Sequence, residues 1–464
     1  MRHRVSPTPP RAPRRPRRVV GPVLRFALAL ILVAGCGEAV VHDQEAGNQP
    51  PAASDEEVVL ELWYMPNGSD PESMIDAEVD HFEDLHPGVR VNATLVGWEE
   101  ALTKLTTATT GGGGADVTQV GSTWVSGLSE AGGFRVYDDE DLARLGGREQ
   151  FVRESWSSTM APDGSTVAVP WMVDTRVLYY RTDVFDDLGI EPDAAFRDWA
   201  SFEETLRVIE AGTDMHPLGV PGRNDWNVVH NVTPWIWAAG GTILSDDGAI
   251  TQLGTAETVA GIHRFQRLVQ RYAHPDLLTS TDDASPELFA NGEFAIAMSG
   301  PWFGPILLEE HDASMPAERW SAAPLPAGPA GRVSFLGGSH LAILGSSQHP
   351  VEAMALVEFL TARDSQERVS SETGLLPANT TAATVTTGAV ADAFQQALAS
   401  GRQYPSLPGW LEVETTLQRS FSHMWERIES TGRPLTLHGI STIMADTGTE
   451  IDAALAARTA RAGS

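Results

Sequence analysis

Residues 58–96 read VVLELWYMPNGSDPESMIDAEVDHFEDLHPGVRVNATLV, and this stretch decides the fold class. Val58 to Tyr64 is β-branched and apolar, the pattern of a buried strand. Ser69-Asp70-Pro71 then supplies a helix cap with Pro in the first turn. Ile75, Val79, Phe82 and Leu85 recur at helical spacing, and His86-Pro87-Gly88 stops the helix. Val89 to Val96 alternates as a second strand, a helix is expected from Glu99 to Thr109, and Gly111 to Gly114 breaks it. Asp116 to Val120 is a third strand. Strand, helix, strand, helix, strand implies a parallel sheet with helices on its faces. Ligands of such sheets sit beyond the carboxyl ends of the strands, here Tyr64 to Asp70, Val96 to Glu99 and Gly121 to Trp124.

The whole chain has 464 residues, enough for two or three domain-sized units. Apolar residues make up 42% and charged residues 20%, a globular balance. A net charge of −30 argues against nucleic acid as a partner, because phosphate needs a basic face. A single cysteine excludes a disulfide scaffold and a Cys-rich zinc site. There are 13 Trp against 6 Tyr, which hints at surfaces that stack on a ligand. Lys104 is the only lysine, which reads as the codon bias of a GC-rich genome.

The amino-terminal segment reads as a targeting signal. Eight arginines and no acid precede the apolar run Phe26 to Ala34, which is too short for a comfortable membrane span. Val33-Ala34-Gly35-Cys36 ends the run and resembles the lipobox of bacterial lipoproteins, in which the cysteine carries the lipid. Residues 1–35 are therefore expected to be a signal peptide and Cys36 the lipidated residue. The alternative is a plain signal with a chance cysteine. Arg14-Arg15 and Arg17-Arg18 raise twin-arginine export without completing its motif. Residues 36–57 lack apolar periodicity beyond Ala39-Val40-Val41 and read as a disordered tether.

Further motifs carry a resemblance. Phe82-Glu83 through His86-Pro87-Gly88-Val89-Arg90-Val91 and Gly112 to Trp124 are two of them. Val169-Pro170-Trp171 to Phe185, Phe289-Ala290-Asn291-Gly292 to Trp302, Gly337-Gly338-Ser339, and Glu358-Phe359-Leu360 to Pro377 complete the series. In order and spacing the chain resembles the extracellular solute-binding proteins of family 1, the carbohydrate-binding lipoproteins of ABC importers. The resemblance implies a two-lobed α/β fold like that of periplasmic binding proteins, each lobe a sheet flanked by helices, joined by hinge crossings. It places lobe one at 58–172 plus 338–378 and lobe two at 176–335 plus 380–464. The crossings fall near Val173 to Arg176, Phe335 to Gly338 and Pro377 to Asn379. The implied function is capture of a sugar, a di- or oligosaccharide, between the lobes and its delivery to a permease. The protein would be a monomer without a cofactor, on the outer face of the cell membrane and bound to it through the lipid anchor only.

The cleft chemistry follows from the ligand. A sugar shows hydroxyls at its rim and C–H patches on its faces, so a site needs aromatic plates and bidentate polar groups. Trp302, after Gly300-Pro301, is the expected stacking plate, and Asp174 on the crossing is the expected hydroxyl acceptor, with an ion pair to Arg176 as its structural alternative. Trp124 lies past a strand end and is either cleft or core. Trp410 would close the cleft from the carboxyl-terminal part. Trp235 and Trp237 flank Ile236 and cannot both face a cleft, so one belongs to the core. Asn67 and Asp70 either line the cleft or cap the helix at Pro71. Gly338 and Ser339 offer small side chains and a backbone amide. Asn224-Asp225-Trp226-Asn227 pairs an aromatic with amides in the same way.

Enzyme signatures are missing: the sequence has no His-Glu-x-x-His, no Gly-x-Ser-x-Gly, and no Gly-Lys-Ser after Gly111 to Gly114. Two rival readings stay open. One is a lipid-anchored glycoside hydrolase, since 62 acids leave room for a carboxylate pair. The other keeps the fold and binds a glycerol phosphate diester or a polyamine, with Arg176 and Arg223 as anion contacts.

Overall fold

The computed structural model describes residues 57–462 except 131, 223–226, 280–283 and 385. The expected signal, Cys36, nearly all of the tether, Arg223 and the Asn224 to Trp226 segment lie outside the described residues.

The opening strand–helix–strand forms as read. Strand β1 (Val58–Tyr64) buries Leu60, Leu62 and Tyr64. The Pro71–Leu85 helix is capped by Asp70, whose carboxylate accepts from the Ser73 amide at 3.1 Å, and turns Met74, Ile75, Val79 and Phe82 inward. The same face buries Glu78, which is charge-paired with Arg368 and accepts from Ser365 Oγ at 2.6 Å. Strands β2 (Val89–Leu95) and β3 (Val117–Gly121) both pair parallel with β1. The second helix spans Trp98–Gly111, slightly longer at both ends than its apolar spacing suggests.

The parallel arrangement expected for these three strands is found, and the sheet extends beyond them with antiparallel strands. Among the described residues the larger sheet has seven strands, in the order β10 (Leu376–Pro377), β4 (Val169–Thr175), β9 (Ser334–Ile343), β3, β1, β2, with β11 (Gly401–Arg402) beside β9. Strand β9 runs antiparallel to both β3 and β4, and β10 runs antiparallel to β4. Strand β9 comes back from the other sheet, so it enters in the reverse direction.

Among the described residues the smaller sheet has four strands, in the order β6 (His216–Gly219), β7 (Phe294–Ser299), β5 (Val177–Arg181), β8 (Trp320–Pro324). The fold is thus α/β and two-lobed. The chain passes between sheets at Arg176, the one residue separating β4 from β5, and again between β8 and β9. Phe335 to Gly338 lies within β9, where Ser334 and Phe335 pair with β11 (Gly401–Arg402) before the strand joins β4.

The join between lobes has two characters. One side is apolar: a single cluster runs from Val169 and Trp171 through Tyr179, Phe294, Phe303 and Trp320 to Phe394. The other side is polar and carries the candidate site.

Candidate functional site

Strand β3 ends at Gly121, and Ser122 and Thr123 follow where a parallel sheet presents its ligands. The Ser122 amide donates to the Gly338 carbonyl at 2.9 Å, which ties this end to β9. Gly338 has φ +142°, and a Cβ there would lie 2.0 Å from the Met172 carbonyl oxygen, so only glycine fits. Ser339 accepts from Gln119 Nε2 at 2.8 Å, and Gln119 Oε1 accepts from Asn67 Nδ2 at 3.1 Å. Asn67, Gln119 and Ser339 therefore form one buried chain from the turn after β1 across β3 to β9.

The crossing itself carries a buried cation. Arg176 is 1% exposed and sits between the sheets. Its guanidinium donates to Asp174 and to Asn227 at 2.5 Å each and to Asn231 at 3.3 Å. It lies over the rings of Trp302 and Phe335, at 5.0 and 5.4 Å from their centroids. The Arg176 amide donates to Ser334 Oγ, and that hydroxyl donates to the Arg176 carbonyl at 2.8 Å.

Elements packed with the smaller sheet supply the facing wall. His230, on the Val228–Ala238 helix, stacks on Phe335 with centroids 4.1 Å apart and shares a 3.0 Å hydrogen bond with the Tyr404 hydroxyl. Tyr404 stacks on Trp410, the first residue of the Trp410–Thr431 helix. One turn further, Glu414 is fully buried and accepts from Thr123 Oγ1 at 3.1 Å across the join. Burial pushes the Glu414 carboxyl up to about 8. Burial and the Arg176 charge hold the His230 imidazole well below its ordinary value. Between the walls lies a small cavity lined by Ser122, Thr123, Ser126, Ser158 and Leu336 on one side. Gln403, Tyr404, Pro405, Ser406 and Trp410 line the other.

The expected residues thus separate into groups. Trp410 lines the cavity. Asp174, Arg176 and the half-buried Trp302 cluster at the crossing, where Asp174 makes the ion pair that was its structural alternative. Asn67 and Ser339 belong to the strand-end chain, and Gly338 holds β9 against β4. Asp70 caps its helix from the surface. Trp124 is 2% exposed and packs edge-on against Trp98 at 5.9 Å. Trp235 is sandwiched between Trp199 and Phe265, with centroids 5.6 and 5.3 Å away, deep in the core beside the smaller sheet. Trp237 instead faces Tyr404 at 5.6 Å and carries Arg402 over its ring at 5.0 Å. Sequence reading missed His230, Tyr404, Ser126, Gln403 and Glu414. Glu414 had one local signal, its position four residues after Trp410 on the same helix face.

Comparison with known proteins decides the family. The sequence pattern of bacterial extracellular solute-binding proteins matches residues 63–367. The chain belongs to that family. It is 25% identical over 397 residues to the diacetylchitobiose binding protein DasA of Streptomyces coelicolor, covering 83% of this chain and 88% of the relative. Its fold is that of an ABC transporter solute binding protein from Thermotoga lettingae bound with α-D-tagatose (TM-score 0.73, 22% identity, covering 86% of this chain and all of that one). It is also that of UgpB from Mycobacterium tuberculosis in complex with glycerophosphocholine (TM-score 0.70, 20% identity, 86% and 99% covered). The relatives are binding proteins, and among the described residues no helix is long and apolar enough to cross a membrane.

Proposed function

We propose that this family member captures a sugar, a di- or oligosaccharide, in the cleft between its lobes and delivers it to the permease of an ABC importer. The observation that carries this reading is the join itself, where the half-buried Trp302 is oriented by Arg176 and a small cavity brings the hydroxyls of Ser122, Thr123 and Ser126 and the Gln403 amide toward Tyr404 and Trp410. Stacking plates with polar rim groups are what a sugar requires. The diacetylchitobiose-binding relative supports the same ligand class. Lobe one would comprise 58–172 plus 338–378 and lobe two 176–335 plus 380–464. They would close on ligand as a hinge about Arg176, and the permease would read the closed form. The protein would act as a monomer without a cofactor, held outside the cell by a lipid on Cys36 after loss of residues 1–35.

A thermal-shift screen of mono-, di- and trisaccharides on the purified protein tests the ligand class. A ligand at a hundredfold excess over its Kd adds about 2.7 kcal/mol of stability. Stabilisation by glycerophosphocholine or a polyamine, with none by saccharides, would replace the sugar reading. Release of reducing sugar from a bound glycan would replace it with a glycoside hydrolase.

A further inference from the structure

Four buried polar atoms around the interlobe cavity make no hydrogen bond: Ser126 Oγ, Gln403 Nε2, Trp410 Nε1 and Glu414 Oε2. Ser126, Gln403 and Trp410 line the cavity, and Glu414 is bonded to a fourth lining residue, Thr123. An unpartnered buried polar group costs about 1–3 kcal/mol, so four at one place are a standing demand for a partner. We propose that Glu414 is a specificity-determining residue of the cleft, and that its free oxygen, with Ser126 Oγ, Gln403 Nε2 and Trp410 Nε1, is completed by the hydroxyl and carbonyl oxygens of an uncharged sugar. This rests on the sugar-binding reading and narrows its substrate class.

The donor inventory gives the reason. Indole and amide nitrogens only donate, and a serine hydroxyl donates or accepts. With its carboxyl pushed up to about 8, Glu414 holds a proton at neutral pH. Oε1 accepts from Thr123, so the proton sits on Oε2, which becomes a fourth donor. The ligand must therefore bring acceptor oxygens. Among the described residues no lysine or arginine lines the cavity, so an anion would enter there without a counter-charge.

The neighbouring charges leave Glu414 alone. His230 Nε2 is 3.9 Å from Oε1, beyond hydrogen-bond reach, and burial keeps that ring neutral. Tyr404 is buried and its hydroxyl is held in the protonated form. Arg176 is spent on Asp174, and Arg458 on Glu130 and Glu412 at the start of the helix. When the lobes part, the Thr123 bond breaks and water reaches the carboxyl, which returns to the ordinary carboxylate range. Closure on ligand then takes up a proton. The carboxyl is raised in the closed form, so binding is strongest on the acid side, weakens by up to tenfold per pH unit, and levels off above about pH 8.

The test titrates the purified full-length protein, Glu414→Gln and Glu414→Ala with neutral saccharides, maltose and N,N′-diacetylchitobiose among them, and with glycerol 3-phosphate and galacturonate, from pH 6 to 9. Melting curves report folding. The wild type should bind a neutral saccharide more weakly as pH rises. Glu414→Ala should bind it roughly ten- to a hundredfold more weakly while still folded. Glu414→Gln, which carries a permanent donor, should lose far less affinity at pH 6 and show no pH slope. Equal affinity in wild type and Glu414→Ala, a slope that survives in Glu414→Gln, or preference for either anion overturns the inference and leaves the binding cleft standing. Binding of no saccharide at all by the wild type overturns the sugar reading and this inference with it.

Discussion

The guanidinium of Arg176 lies over the face of Trp302, 5.0 Å from the ring centroid. This contact joins the crossing between the sheets to the bend that precedes the Phe303–Glu310 helix. A cation on an aromatic face is worth about 0.5–2 kcal/mol, and it fixes the ring plane as well. Trp302 is only half-buried, so the ring is oriented and still accessible.

Trp302→Ala should therefore cost binding more than folding. Truncating an aromatic anchor in a recognition cleft typically costs about 2 kcal/mol, or roughly thirtyfold in affinity. A melting point close to wild type with weakened saccharide binding by calorimetry supports the stacking role. Unchanged affinity removes Trp302 from the site.

Removal of Arg176 should be a folding defect first. Arg176→Ala removes the cation paired with the buried Asp174 carboxylate and a donor to Asn227 and Asn231. Breaking a buried pair in this way costs about 3–5 kcal/mol. Arg176→Lys should recover only part of it, because an ammonium lacks the planar fork that serves three acceptors. Denaturant midpoints of the two variants measure the difference, and equal midpoints would refute the argument.

Gly338→Ala should destabilise by at least the 1–3 kcal/mol typical of a strained backbone position, since its methyl group would also meet the Met172 carbonyl. Ser339→Ala, the next residue along β9, loses only the bond from Gln119 and should cost about 1 kcal/mol. The order of the two melting points is the check.

His340 links stability to pH. It is fully buried beside Ser158, and burial lowers its imidazole to about 4. The unfolded chain binds a proton there at higher pH than the native state does. Stability from this residue is thus present above about pH 6.5 and lost as pH falls toward 4, on the order of 3 kcal/mol in all. Unfolding free energies at several pH values should show a shallower acid loss in His340→Gln than in the wild type. Parallel curves would assign the loss to other groups.

Cys36→Ala should move the protein from the membrane fraction to the medium, or leave its leader uncleaved. A lipid on this residue is the anchor expected from Val33-Ala34-Gly35-Cys36. Membrane fractionation unchanged from wild type would rule that anchor out.

Sequence alone determined the elements whose signals are local. The apolar run at 58–64, the Asp70 cap before Pro71 and the Gly88 stop each act within a few residues, so strand, helix and strand form where they are read. The crossing at Arg176 came from the family resemblance, because two successive apolar runs do not by themselves say that the chain changes sheets between them. The antiparallel entry of β9 was not legible, because it depends on the chain returning from the second sheet more than a hundred residues later. Nor could the fates of Trp235 and Trp237 be told apart, because one helix turns the first toward Phe265 and the second toward Tyr404. Glu414 was hidden most completely. Glu414 is one of 62 acids, and only the packing of its helix against Thr123 removes its water and sets its chemistry apart. Burial is a property of the folded neighbourhood, so tertiary structure alone selected it.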